Sequence, residues 1–413
     1  MSASPRRDVA VLFATRGVRL FAYGFLSVVL VLYLSEAGLS EGRIGLLLSL
    51  TLLGDTALSL WITTRADRAG RRRMLLLGAA MMVFAGVLFS ATTSFPVLLF
   101  AATVGIISPA GNEVGPFLAI EQAALAQAVP AARRTGTFAW YALAGSFATA
   151  LGSLAGGLLS AALQRGGATP LAANRVVVLG YSALGALLLA IFTRLSSASE
   201  SPATAPARRP AFLEPGLGLH RSRGVVLRLS SLFALDAFAG AFVVQSFVAW
   251  WFHARFGAGE ALLGAIFFGA NVLAGLSALS AGALARRFGL VNTMVFTHLP
   301  SNALLFLVPL MPTLPLAIAV LLLRFSISQM DVPTRQSYTM AVVAPDERSA
   351  AAGVTGIART VGASLAPLLA GPLYAVPALA SVPFFVCGGL KIVYDLALWR
   401  GFRAHRPPEE LAG

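Results

Sequence analysis

Nearly the whole chain is cut into apolar runs of about 20 residues, the length an α-helix needs to cross the hydrocarbon core of a bilayer. Twelve such runs can be drawn, at 10–34, 43–63, 73–92, 96–123, 136–162, 174–194, 225–251, 260–284, 290–311, 314–341, 349–375 and 381–400. A membrane β-barrel would show short segments of alternating hydrophobicity, whereas "MLLLGAAMMVFAGVLF" (74–89) is apolar on every face. Only 12% of residues are charged, about half the roughly 25% of soluble proteins, so too few polar groups remain to cover a water-facing surface. The first run follows Pro5, Arg6 and Arg7 as a signal peptide would, yet Arg16 and Arg19 interrupt it and no cleavage site follows, so it is expected to be the first membrane helix.

The formal charge of +14 would suggest nucleic acid in a soluble protein, but its distribution gives it another meaning. Basic residues gather near the N-terminus, at 65–73, at Arg133 and Arg134, between Arg194 and Arg228, at Arg286 and Arg287, at Arg348 and from Arg400 to Arg406. If the helices alternate in direction, these positions share one side, and the other side holds Arg43, Arg165, Arg175 and Arg255. The positive-inside rule then puts both termini in the cytoplasm, and no nucleic-acid partner is expected. The single cysteine, Cys387, excludes an internal disulfide and a multi-thiolate metal site, and the four histidines form no metal constellation.

The halves of the chain repeat. Gly38, Gly45 and Gly70 recur as Gly257, Gly264 and Gly289 at one spacing; after a short deletion Pro130 matches Pro345 and Gly156 matches Gly371. A Ser-, Pro- and Ala-rich segment, "SSASESPATAPARRP" (196–210), separates the copies and reads as a flexible connector. The expected organisation is an all-α membrane protein of two pseudo-symmetric six-helix bundles, at 1–195 and 225–413, joined by a cytoplasmic linker at 196–224.

Within that frame, "TTRADRAGRRR" (63–73), between the second and third spans, resembles the loop signature GxxxDRxGRR of the major facilitator superfamily, with Thr63 where the family usually has glycine. A degenerate copy, "GALARRFG" (282–289), lies between the eighth and ninth spans, and "GSLAGG" (152–157) in the fifth is similar to the antiporter motif GPxxGG with Ser153 replacing proline. Small residues at that spacing also serve plain helix packing. The resemblance implies twelve helices, a site near the midplane between the halves, and a central cavity lined by helices 1, 4, 7 and 10. In the loop signature, Asp67, Arg68 and Arg71, with Gly70 permitting the turn, form the expected conformational latch on the cytoplasmic side.

Charges within the spans are the sharper signal, because each costs at least about 2.5 kcal/mol at the bilayer centre. Arg19, Asp55, Glu113, Asp236, Arg324 and Asp331 are the candidates for substrate or proton coupling. "GNEVGP" (111–116) and "MDVP" (330–333) each place an acid shortly before a proline in corresponding spans, so Pro116 and Pro333 are expected to break helices 4 and 10 beside Glu113 and Asp331. Arg19 and Arg324 are expected to pair with Asp55, Glu113 or Asp331. Glu121 and Arg335 fall near the cytoplasmic ends, where snorkelling would suffice, and Lys391 stands four residues before Asp395 as a same-face pair.

These features predict a secondary active transporter working by alternating access, driven by a proton gradient without a cofactor, since no GxxxxGK[ST] nucleotide loop is present. Export of a small organic compound by proton antiport is the first expectation, from the fifth-span motif. Import or exchange of an anionic metabolite is the second, from the intramembrane arginines. A polytopic membrane enzyme would require a polar catalytic cluster at the membrane surface and would leave the repeat unexplained. The chain is expected to act as a monomer in a bacterial cytoplasmic (inner) membrane.

Overall fold

The computed structural model describes residues 3–200 and 215–404, apart from the side chains at 3–5, 67, 68, 131, 132, 134, 135, 198, 215, 216, 345 and 349. The described residues are helical throughout, with no strand. In chain order the helices are α1 (Ala3–Ser27), α2 (Leu30–Glu36), α3 (Glu41–Ala69), α4 (Arg71–Ala91), α5 (Phe95–Val104), α6 (Phe117–Ala128), α7 (Ala131–Arg165) and α8 (Pro170–Phe192). They continue with α9 (Arg223–Ala241), α10 (Gln245–Phe256), α11 (Glu260–Phe288), α12 (Leu290–Leu307), α13 (Leu314–Phe325), α14 (Asp331–Ala341), α15 (Arg348–Ala375) and α16 (Val382–Phe402). Every expected span contains helix. Spans 1, 4, 7 and 10 are each broken into two pieces, α1/α2, α5/α6, α9/α10 and α13/α14.

The breaks have different local causes. In span 4 the chain leaves the helix from Gly105 to Pro116, where Gly111 and Gly115 adopt φ of +69° and +81° that a side chain would resist. In span 10 the break lies at 326–330, one turn ahead of the expected position, and Pro333 is the third residue of α14. A proline ring lacks an N–H and clashes with the carbonyl four residues back, so the helix must stop before Gln329 and restart with Pro333 in its first turn. In span 1, with no proline, Ser27 Oγ donates to the Gly24 carbonyl (3.0 Å), a back-bond of the kind that bends helices.

The contacts divide the chain into two units, Met1–Ala207 with Val244–Phe268, and Arg208–Val243 with Gly269–Gly413. In the first, α7 lies against α1 at backbone distance: a Cβ at Gly152 would sit 2.0 Å from the Phe21 carbonyl oxygen, and one at Gly156 2.2 Å from that of Phe25. Gly157 meets the Glu260 carbonyl in the same way (2.2 Å). The glycines of "GSLAGG" are thus occupied in helix packing. In the second unit Gly362 of α15 approaches the Ala234 carbonyl of α9 (2.4 Å from a Cβ). Residues 244–268 join the first unit through Gln245 Nε2, which donates to Ser27 Oγ (2.8 Å), and Gln164 Nε2, which donates to Glu260 Oε1 (2.8 Å).

The repeated glycines have a conformational reason. Gly38 and Gly257, and Gly70 and Gly289, all have positive φ where one helix gives way to the next.

The ends of the expected linker are docked by hydrogen bonds, a departure from a connector flexible from 196 onward. Ser196 donates through N (3.0 Å) and Oγ (2.5 Å) to Asp8, and Glu200 accepts from the backbone N–H groups of Arg71 (2.6 Å) and Arg72 (3.2 Å) at the start of α4. At the other end, His220, Arg221 and Ser222 donate their backbone N–H groups to Glu347 at 3.0, 2.8 and 2.9 Å. Burial opposes ionisation of Glu347, yet these three donors hold its carboxyl down to about 2. A depressed value means stability that is present above the unfolded-state value of about 4.3 and lost as pH falls toward the folded one. The melting-temperature advantage of the protein over Glu347→Gln should therefore be constant above about pH 4.3 and shrink steadily toward pH 2; an advantage unchanged across that window would contradict the assignment.

Candidate functional site

Each unit holds one buried cluster of charges. In the first, the break in span 4 brings Glu113 beside α1, and α6 restarts so that Glu121 reaches the same place. Arg19, 0% exposed, directs both terminal nitrogens at Glu121 (2.7 and 2.7 Å) and its Nε at Glu113 Oε1 (2.9 Å), with its guanidinium 4.7 Å from the Phe117 ring centroid. Arg16 pairs with the other oxygen of Glu113 and donates Nε–H to the Tyr141 carbonyl (3.0 Å). Thr15 Oγ1 (2.8 Å) and the Tyr141 hydroxyl complete the shell of Glu121. Two arginines thus meet two glutamates with nearly every donor used, as buried ions require.

Arg19 meets Glu113, one of its three expected partners, and adds Glu121, which was not among them. One expectation changes here. Glu121 is 0% exposed and does not snorkel, because Arg19, Thr15 and Tyr141 take its carboxylate inside the unit. Asp55, on α3, is 6% exposed, lies beside the Gly115 backbone amide and the Ser59 hydroxyl, and makes no ion pair among the described residues. Its Oδ1 is the one buried carboxylate oxygen without a hydrogen-bond partner among the described residues.

In the second unit Asp236 of α9 is held between Arg335 Nη1 (3.0 Å) and Lys391 Nζ (2.5 Å), and Arg335 also reaches Asp331 one turn earlier (3.2 Å). Arg335 is buried in this pair of contacts and does not snorkel. The expected Lys391–Asp395 pair is absent: Asp395 instead lies 2.8 Å from His298 Nδ1 and accepts from Asn302 Nδ2 (2.9 Å). α16 packs on both α9 and α12, and Lys391 turns to the acid of the former while Asp395 turns to the amide and imidazole of the latter.

Arg324 differs from Arg19. Among the described residues it makes no ion pair, so none of Asp55, Glu113 and Asp331 takes it as expected; its Nε is buried without a hydrogen-bond partner, and its nearest described aromatic contact is Phe325, at 5.0 Å. Arg359 on α15, which was not among the candidates, likewise has a buried Nη1 without a partner among the described residues. Of the expected latch, the side chains of Asp67 and Arg68 lie outside the described residues. Gly70, at φ +100°, makes the turn between α3 and α4, and Arg71 donates to Gln127 Oε1 (2.9 Å) and the Ser199 carbonyl (3.3 Å) within the first unit. Pro116 ends the break of span 4, and Pro333 opens α14.

A family model described as the Major Facilitator Superfamily matches residues 12–367. The chain belongs to the major facilitator superfamily. It is 32% identical to the uncharacterized membrane protein YJR124C of Saccharomyces cerevisiae, over 95% of this chain and 93% of that protein. Among solved structures it is similar to the nucleoside transporter NupG (TM-score 0.74, 14% identity, 96% of this chain and 99% of that one). It is also similar to the human organic anion transporter MFSD10 (TM-score 0.59, 20% identity, 95% and 99%). These likenesses give the fold, an integral membrane protein built as secondary transporters are. Superfamily members of this fold differ in cargo, so substrate has to be argued from side chains.

Removing one member of a buried, hydrogen-bonded ion cluster leaves the others uncompensated. Arg19→Gln should destabilise the protein by about 3–5 kcal/mol, and Glu121→Gln added to it should restore part of that loss in thermal unfolding; equal and additive losses would show that the two side chains are not coupled.

Proposed function

We propose that this chain moves a small organic compound across the membrane by alternating access, coupled to protons, with Asp55 as the group that takes up and releases the coupling proton. The observation that carries the reading is the contrast within the first unit. Glu113 and Glu121 are neutralised by arginines, whereas Asp55 has neither a cation nor a full set of donors. An ionised carboxylate is costly in such surroundings, and a neutral, protonated one is not. A group whose charge is not fixed by a permanent partner is free to change it during a transport cycle. A gradient is the natural energy source, because the sequence carries no nucleotide-binding loop. Export remains the reading suggested by the fifth span, although its glycines serve packing first.

The test is reconstitution into vesicles with a trapped pH dye and an imposed pH gradient of either sign, challenged with succinate, citrate, phosphate, glucose and choline. The protein should link a substrate to proton movement, and the sign of the response gives the direction. Asp55→Asn should abolish gradient-driven accumulation while retaining exchange of labelled for unlabelled substrate. Gradient-driven accumulation equal to that of the unaltered protein would remove Asp55 from the coupling role.

A further inference from the structure

The second unit is charged in the opposite sense to the first. Its two central acids, Asp236 and Asp331, are committed to Arg335 and Lys391 at 2.5 to 3.2 Å. Asp395 is turned toward His298 and Asn302. Arg324 and Arg359 remain, both within electrostatic reach of Asp236 and Asp331 but in ion-pair contact with neither.

Both sit among buried positions of their helices, although their own side chains are only part-buried. Arg324 continues the buried stripe of α13, three residues after Leu321 and seven after Ala317, and the same stripe resumes beyond the break with Ser328 and Asp331. Arg359 falls on the buried stripe of α15 between Thr355 and Gly362, and Gly362 touches the backbone of α9 at Ala234, next to Asp236. Each arginine thus keeps one guanidinium nitrogen buried and without a partner, and neither meets an acid among the described residues. Leaving a cation unpaired in a membrane protein is costly enough to require a reason.

We propose that Arg324 and Arg359 form a binding site for a small organic anion, taken by its carboxylate or phosphate oxygens, and that this anion is the transported substrate. The last clause rests on the transport reading above; the site itself does not. A guanidinium presents several N–H groups in a plane and suits such oxygens better than any uncharged donor. The charge distribution divides the work: the unit with the spare acid carries the proton, and the unit with the spare arginines carries the anion.

The site can be tested without a gradient, so its failure and that of the coupling role of Asp55 are separable. Thermal unfolding of the purified protein would be followed against succinate, citrate and inorganic phosphate, each exchanged for chloride at fixed ionic strength, with glucose and choline as uncharged and cationic probes. At least one of the three anions should raise the melting temperature with a saturable midpoint, and glucose and choline should not. The midpoint should rise by about tenfold or more in Arg324→Gln and in Arg359→Gln, and stay in place in Arg165→Gln, which removes an exposed charge elsewhere. Because neither arginine makes an ion pair among the described residues that its loss would break, both variants should melt no lower than the unaltered protein in chloride alone, the reverse of Arg19→Gln. A protein that none of the three anions stabilises, a midpoint unchanged in both variants, or a lower melting temperature of either variant in chloride would each overturn the proposal.

Discussion

A charged side chain inside a membrane protein must be answered by an opposite charge, by donors and acceptors, or by something the protein binds. That constraint organises this molecule. In the first unit it is met almost completely by Arg16, Arg19, Glu113, Glu121 and the hydroxyls of Thr15 and Tyr141, with Asp55 left over. In the second it is met by Asp236, Asp331, Arg335 and Lys391, with Arg324 and Arg359 left over. The paired groups tie the helices together, and the remaining ones are those proposed to exchange partners.

The helix breaks make this arrangement possible. A continuous span 4 would carry Glu113 and Glu121 on one helical stripe, about two turns apart and unable to converge on one guanidinium. The unwound residues between α5 and α6 let both acids reach Arg19. Irregular backbone at membrane depth is tolerated where protein rather than lipid surrounds it. Here the Gly105–Pro116 segment contributes to that surrounding, with the Val114 carbonyl accepting from the Tyr23 hydroxyl (3.1 Å) and the Ile106 carbonyl from that of Tyr181 (2.6 Å).

What the sequence made legible was governed by near neighbours in the chain. The twelve spans follow from apolar length, the repeated turns from glycines at positive φ, and the break in span 4 from Gly111, Gly115 and Pro116. Partner choice was less legible, because it depends on helices far apart in sequence. The spacing of Lys391 and Asp395 suits a pair on one helix, yet Asp236, 155 residues away, takes the lysine. Glu121 looked peripheral because Arg19, Thr15 and Tyr141, which hold it, lie on other helices. Arg324 was legible as a charge but not as an unpaired one, and Arg359 lacked any local feature to separate it from other intramembrane charges.

The difference between fixed and free arginines is most directly measured by NMR of the arginine side chains in lipid nanodiscs, using protein labelled at the guanidinium nitrogens. A guanidinium held by two carboxylates cannot rotate freely about its Nε–Cζ bond, so its terminal nitrogens give separate signals. Arg19 should show separate signals, and Arg324 and Arg359 should show averaged ones that separate only when a stabilising anion is added. Separate, anion-independent signals for Arg324 and Arg359 would mean that the protein already supplies their partners, and would contradict the division of charge between the two units.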